Sequence, residues 1–227
     1  MTRAWPLATA IFGVATLGTL IAFSQMPDVR AAYPNGDFST ALNAFQHATS
    51  MAQLDALFGN PADPVKLRAM TSGNTLDLFG FIPAYGLFMI AGAAMLAGDF
   101  RRPIVWLALA PALIGIAGDI LETSCQLQMT ANWSRAAECL PLVAPGCWTK
   151  FFGIAFNALG CSAICFMGER RRLVLGALAV LPIAGVSAEA LHALPAPALM
   201  SAVFGVFWIA LLVVAILEMV RARGASA

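Results

Sequence analysis

The sequence predicts an all-α membrane protein, a polytopic helical bundle of about six transmembrane helices plus an outer amphipathic helix. Three observations predict it. The chain is 60% hydrophobic and only 11% charged, against about 25% charged in soluble domains, so a soluble fold would lack polar surface. Its apolar runs reach the roughly 20 residues that a helix needs to cross a bilayer. Every second connection between those runs is rich in arginine, as cytoplasmic loops are. The net charge of +1 provides no broad field for nucleic acid, and no basic stripe remains once topology explains the loop arginines. At 227 residues the chain reads as a single membrane domain, 1–227.

The spans fall at about 5–24, 76–97, 104–122, 150–167, 173–192 and 199–220. With the N-terminus inside, the cytoplasmic side carries Arg3, Arg101, Arg102, Arg170, Arg171, Arg172, Arg221 and Arg223, and the outer side Arg30, Lys66, Arg68, Arg135 and Lys150. That is eight against five, with the inner loops much shorter. The expected location is therefore the bacterial inner membrane, with both termini cytoplasmic. The first run has a rival reading as a signal peptide, with Ala22 and Ser24 as small residues before a cleavage site. Its apolar region of about 19 residues exceeds the usual signal core of about 7–15, which favours an uncleaved first helix.

Two outer segments follow from this topology. Segment 25–75 contains Phe38, Leu42 and Phe45, then Leu54, Leu57 and Phe58, at helical spacing. It predicts an amphipathic helix broken near Thr49-Ser50, packed on the bundle or lying in the interface. The sharper alternative is a lid over an outward-facing cavity. Residues 64–75 predict a second short helix leading into the next span. Segment 123–149 reads as a loop, because Pro141, Pro145 and Gly146 punctuate it. It contains Cys125, Cys139 and Cys147, on the side of a membrane where disulfides persist. Cys139 with Cys147 is the expected pair, while Cys125 with either remains open. Cys161 and Cys165 read as small apolar residues of the fourth span.

Ionisable residues inside a membrane are costly and mark functional sites by default. Here they are Asp77, Asp119, Glu122, Glu189 and His192, with Lys150 at the boundary. Asp119 lies about 22 Å along its span, within an apolar core of ~30 Å, and Glu189 comes to a similar depth. Asp77 begins a span that runs inward. All share the outer third. Asp119 and Glu122 occupy one helix face, as do Glu189 and His192. Lys150 and Asn157 line one side of the fourth span, and Asp77 and Tyr85 one side of the second, with Pro83 kinking it between them. The candidate ligand-binding residues are therefore Asp77, Tyr85, Asp119, Glu122, Lys150, Asn157, Glu189 and His192. The competing reading is structural, with Asp119 pairing Lys150 and the other acids reaching the interface.

No metal and no cofactor is expected. Glu189-x-x-His192 has the spacing of di-iron carboxylate bundles, but those need two such motifs. A bis-histidine haem would need His47, which lies in the outer segment. The chain has no nucleophile elbow, phosphate loop or zinc spacing. The stretches TLDLFGFIPAYGLF and GIAGDILETSCQL resemble a group of uncharacterised bacterial multi-pass membrane proteins. In these a Leu-Asp…Tyr span precedes one ending Asp-x-x-Glu-Asn. Asp77, Tyr85, Asp119 and Glu122 match that pattern, and Thr123 stands where Asn is usual. The resemblance covers roughly residues 38–128. It implies that the two acidic spans form a unit and implies no reaction.

The leading functional expectation is an outward-facing carboxylate pocket that binds or transports a small polar or cationic solute, or a lipid head group. One alternative is an intramembrane lipid-modifying enzyme using Asp119, Glu189 and His192 for acid–base chemistry. Another is an accessory subunit of a larger membrane complex. Membrane lipid, a small-molecule ligand or a membrane-protein partner are the corresponding partners.

Overall fold

A computed structural model describes residues 4–168, 172–191 and 197–224. Among them the chain is all-helical, with no strand. Eleven helices follow in order. They are α1 (Ala4–Gln25), α2 (Pro27–Ala32), α3 (Phe38–Gln46), α4 (Met51–Phe58), α5 (Pro64–Leu76), α6 (Ile82–Ala97), α7 (Trp106–Ala131), α8 (Ala136–Met167), α9 (Leu173–Leu178), α10 (Leu181–Ala190) and α11 (Pro197–Gly224). Six helical segments are long and apolar enough to cross a membrane: Ala4–Gln25, Pro64–Ala97, Pro103–Ala131, Trp133–Met167, Leu173–Ala190 and Leu199–Arg221. This is an integral membrane helical bundle.

Two of these segments contain 34 and 35 residues, about 50 Å of helix, well beyond the ~30 Å of a bilayer core. The first is not uniform. Between α5 and α6 the turn Asp77–Phe81 widens to π-helix, where the Ile82 N–H donates to the Asp77 carbonyl. Pro83 explains the widening. It brings no N–H, and its ring would clash with the carbonyl four residues earlier, so the turn before it opens. The expected kink is thus a π turn, and Asp77 begins it.

The structure corrects the reading of 123–149 as a loop. Helix α7 continues to Ala131, a 3-10 turn at Trp133–Arg135 follows, and α8 runs unbroken from Ala136 with Pro141 and Pro145 inside it. The two prolines stand four residues apart, so both missing N–H groups fall on one helix face. The opposite face keeps its ladder and packs. Gly146, next to Pro145, and Gly118 on α7 make that packing close. A Cβ at Gly118 would lie 2.7 Å from the Lys150 backbone nitrogen, and one at Gly146 would lie 3.0 Å from Glu122. Only glycine lets α7 and α8 approach so nearly here.

The same helix removes the expected disulfide. Cys139 and Cys147 stand eight residues apart on α8, about 12 Å of rise, whereas a bridge needs Cα atoms about 4.4–6.8 Å apart. All five cysteines are free thiols. Cys147 instead lies with its Sγ 3.7 Å from His47 Nε2, and Cys139 Sγ lies 3.1 Å from Gln128 Oε1.

The chain forms two compact units. One comprises Met1–Thr16, Ala84–Ile116 and Phe151–Ala227. Its core centres on Phe88, Leu109, Ile164, Phe207 and Leu211, and α10 packs along α11. Ser162 donates to the Gly176 carbonyl at 2.7 Å, and a buried Arg172–Glu218 pair closes at 3.1 Å.

The other unit comprises Leu17–Pro83 and Ala117–Lys150. Its core holds Phe45, Leu54, Phe58, Met70, Met129 and Val143. Phe58 sits edge-on to Phe45 at 5.1 Å and to Trp133 at 5.0 Å. The amphipathic segment breaks where its sequence implies. Ser50 and Gln53 form a reciprocal capping box that starts α4, satisfying amide donors that a helix start leaves open. Asp63 caps α5 through the Val65 N–H at 2.8 Å, with Pro64 at the first helical position. Burial, aided by nearby Asp63, raises the Tyr33 phenol above its ordinary value.

Candidate functional site

Within the second unit α5 and α7 run antiparallel, and their polar residues meet along a seam. Thr71 Oγ1 bonds Thr130 Oγ1 at 2.9 Å, and six residues later Thr123 Oγ1 donates to Asp77 Oδ2 at 2.9 Å. The same Thr123 hydroxyl lies 3.5 Å from Asp119 Oδ1. It has one hydrogen, and the shorter contact to Asp77 receives it.

Across α7, Lys150 of α8 places Nζ 3.0 Å from Asp119 Oδ1 and 2.7 Å from Glu122 Oε2. Gln126, one turn after Glu122, donates to Glu122 Oε1 at 3.1 Å. Gln46, from the end of α3, is a further side-chain hydrogen-bond neighbour of Glu122. These groups are closed off. Asp119, Thr123 and Gln126 are each 1% exposed, Glu122 is fully buried and Lys150 is 6% exposed. Asp77 is half-buried and is the most open member.

The site thus holds three carboxyl groups and one ammonium. Burial penalises each charge by several kcal/mol unless a partner returns it. Lys150 compensates Asp119 and Glu122 directly. The third carboxyl group has a hydroxyl donor, and among the described residues none of the ion pairs includes it. Two like charges about 4 Å apart repel by about 4 kcal/mol at an effective dielectric near 20. The arrangement therefore favours taking up positive charge, as a proton or a cation. The Gly118–Gly146 approach holds it together, since any side chain there would push Lys150 away from the two acids.

Above the cluster His47 joins α3 to α8. Its Nδ1 is 3.0 Å from the Asn43 carbonyl. A carbonyl only accepts, so Nδ1 carries a hydrogen there, and Nε2 faces the Cys147 thiol. The imidazole also meets the Trp148 ring edge-on at 5.1 Å. The α3 end is thus packed on the site through Gln46 and His47.

Of the eight predicted ligand residues, Asp77, Asp119, Glu122 and Lys150 come together in this cluster. Three of the others belong to the other unit. Tyr85 stacks on Trp208 with ring centroids 5.6 Å apart, and Asn157 donates to the Ala108 carbonyl at 3.0 Å, the bond of a buried amide satisfied across a helix contact. Glu189 Oε2 is buried with no hydrogen-bond partner among the described residues. His192 lies outside the described residues. No group of three or more metal-ligating side chains occurs among the described residues.

Sequence reasoning missed Thr123, Gln126 and Gln46 as members of the site, and Asn74 one helical turn before Asp77. Helical spacing could have found three of them. Gln126 follows Glu122 by four residues, Thr123 follows Asp119 by four, and Asn74 precedes Asp77 by three, the separations that share a face. Asn74 is 2% exposed, and its Nδ2 has no hydrogen-bond partner among the described residues. Such a donor costs about 1–3 kcal/mol. No known protein family matches the chain, and no curated protein or solved structure matches it either.

Proposed function

We propose that this membrane protein binds a small cation at the Asp77–Asp119–Glu122–Lys150 cluster, receiving it from the outer face. The observation that carries this reading is the imbalance of three carboxyl groups, two buried and the Asp77 one half-buried, against one lysine. Lys150 is itself a tethered primary ammonium, and its contacts at 2.7 and 3.0 Å describe how a soluble ammonium would be held. Depth supports the reading. About 24–30 Å of helix separates Asp77, Asp119 and Lys150 from the opposite ends of their spanning segments. With the arginine-rich ends cytoplasmic, this supports a level near the outer edge of a ~30 Å core, where a solute or head group can arrive without crossing hydrocarbon.

Location in a bacterial inner membrane with both termini cytoplasmic follows from the arginine distribution and belongs to the same proposal. So does the role of the bound cation, as cargo of a transporter or as ligand of a receptor for lipid head groups.

Native mass spectrometry of the gently extracted protein beside Asp119→Asn tests the reading. A small cationic adduct or bound lipid on the wild type, lost in the variant, is the expected result. A co-purifying protein with no mutation-sensitive adduct would instead make the acidic cluster structural.

A further inference from the structure

The cluster's ligand class can be narrowed by Asn74, and this step rests on the cation-binding reading above. Asn74 sits on α5 between two cross-helix contacts. Thr71 meets Thr130 on one side of it, and Asp77 meets Thr123 on the other. In an antiparallel pair this brackets Asn74 on the seam that faces α7, at the level of Gln126. Gln126 spends its amide on Glu122. Asn74 has no such outlet. It is 2% exposed, and Nδ2 finds no acceptor among the described residues. An unsatisfied amide is thus held one helical turn before the most open carboxyl group of the cluster, on the same face.

We propose that the site takes a primary ammonium carried two carbons away from an oxygen acceptor, with the ammonium on Asp77 and Asp119 and the oxygen on the Asn74 amide. Side chains three residues apart on a helix stand about 5–6 Å apart at Cβ, a separation that a two-carbon spacer with a hydrogen bond at each end fits. The ammonium is primary because the acids bind by N–H···O contact. Lys150 Nζ comes within 2.7 Å of an acid oxygen, and a quaternary nitrogen sheathed in methyl groups cannot. A carboxylate as the oxygen acceptor is disfavoured by the three acids already present. The same chemistry comes from two sources, a free amino alcohol and the head group of an ethanolamine phospholipid, whose ammonium stands two carbons from a phosphate ester oxygen.

The test measures binding by native mass spectrometry and thermal shift in detergent, using ethanolamine, propylamine, choline and sodium chloride as probes. Ethanolamine and propylamine have the same size and charge and differ in the oxygen. Ethanolamine is expected to bind the wild type about tenfold more tightly than propylamine, the worth of one hydrogen bond, with choline and sodium weaker still. In Asn74→Leu, a substitution of similar shape, the ratio of the two amine affinities falls to about one. The unliganded variant is at least as stable as the wild type, since a buried unpaired donor has gone. A ratio that is near one in the wild type, or equal in both proteins, overturns this inference and leaves cation binding standing. A response to sodium as large as that to ethanolamine also overturns it. If neither amine binds the wild type, or binding survives Asp119→Asn, the cation-binding reading fails as well. Nanodiscs of phosphatidylethanolamine against phosphatidylcholine separate the sources. Retained phosphatidylethanolamine that resists displacement by free ethanolamine identifies the lipid head group, and ready displacement identifies the free amine.

Discussion

Each unit of the molecule buries a cationic side chain against acid, and the two do so differently. In one, Arg172 meets Glu218 at 3.1 Å and reaches the Leu96 carbonyl at 3.4 Å, while exposed Arg221 stands 3.8 Å from the same acid. Negative charge there has ample partners, and a planar guanidinium divides its donors between carboxylate and backbone. In the other, Lys150 serves Asp119 and Glu122 while Asp77 joins them through Thr123. The first arrangement is a closed clasp that ties the end of α11 to the start of α9. The second has more acid than base. A buried ion pair is weak evidence for stability by itself, and what separates a clasp from a site is whether its acids outnumber its bases.

The contrast can be broken at several points. The largest effect is expected for Lys150→Ala. Removing the cluster's lysine strands buried carboxylates and should cost about 3–5 kcal/mol. Millimolar ethylammonium should recover part of this in thermal unfolding experiments. An unchanged unfolding temperature would show that the lysine compensates nothing. Next comes Gly118→Val. Its side chain would strike the α8 backbone beside Lys150, with a cost of about 1–3 kcal/mol and a parallel loss of cation binding. Loss of stability with affinity intact would mean that the glycine contact serves packing alone. Thr123→Val removes the hydroxyl given to Asp77 and should weaken stability by about 1.5 kcal/mol, readable in chemical denaturation.

The smallest change is expected where the clasp is replaced whole. Arg172→Met together with Glu218→Leu should alter stability by less than about 1 kcal/mol, because an apolar pair of similar volume escapes the desolvation cost. The corresponding exchange of Lys150 and Asp119 leaves two acids behind and should remain strongly destabilising. Equal outcomes for the two double variants would erase the distinction between clasp and site.

Much of this was readable in residue order. The runs of hydrophobic residues announced six apolar helices, and the expected break near Thr49-Ser50 is present, where Ser50 and Gln53 cap α4. Asp119 and Glu122 were placed on one face by spacing, and pairing of Asp119 with Lys150 was foreseen as the structural alternative. The failures share a cause. Pro141, Pro145 and Gly146 are turn-forming residues in isolation, so 123–149 read as a loop, and its cysteines then looked free to meet. Packing against α7 overrode those local preferences. With the segment helical, Cys139 and Cys147 are fixed about two turns apart.

By itself the sequence determined that the fold is all-helical and that its apolar runs suit a membrane. These depend on composition and on periodicity within about 20 residues. Only the tertiary structure decided which acids share a lysine, that Tyr85 and Asn157 have other partners, and that the buried Asn74 Nδ2 has no hydrogen-bond partner among the described residues. Those outcomes depend on which helix faces meet. Here that is set by backbone contact at Gly118 and Gly146, between segments whose closeness no local pattern records.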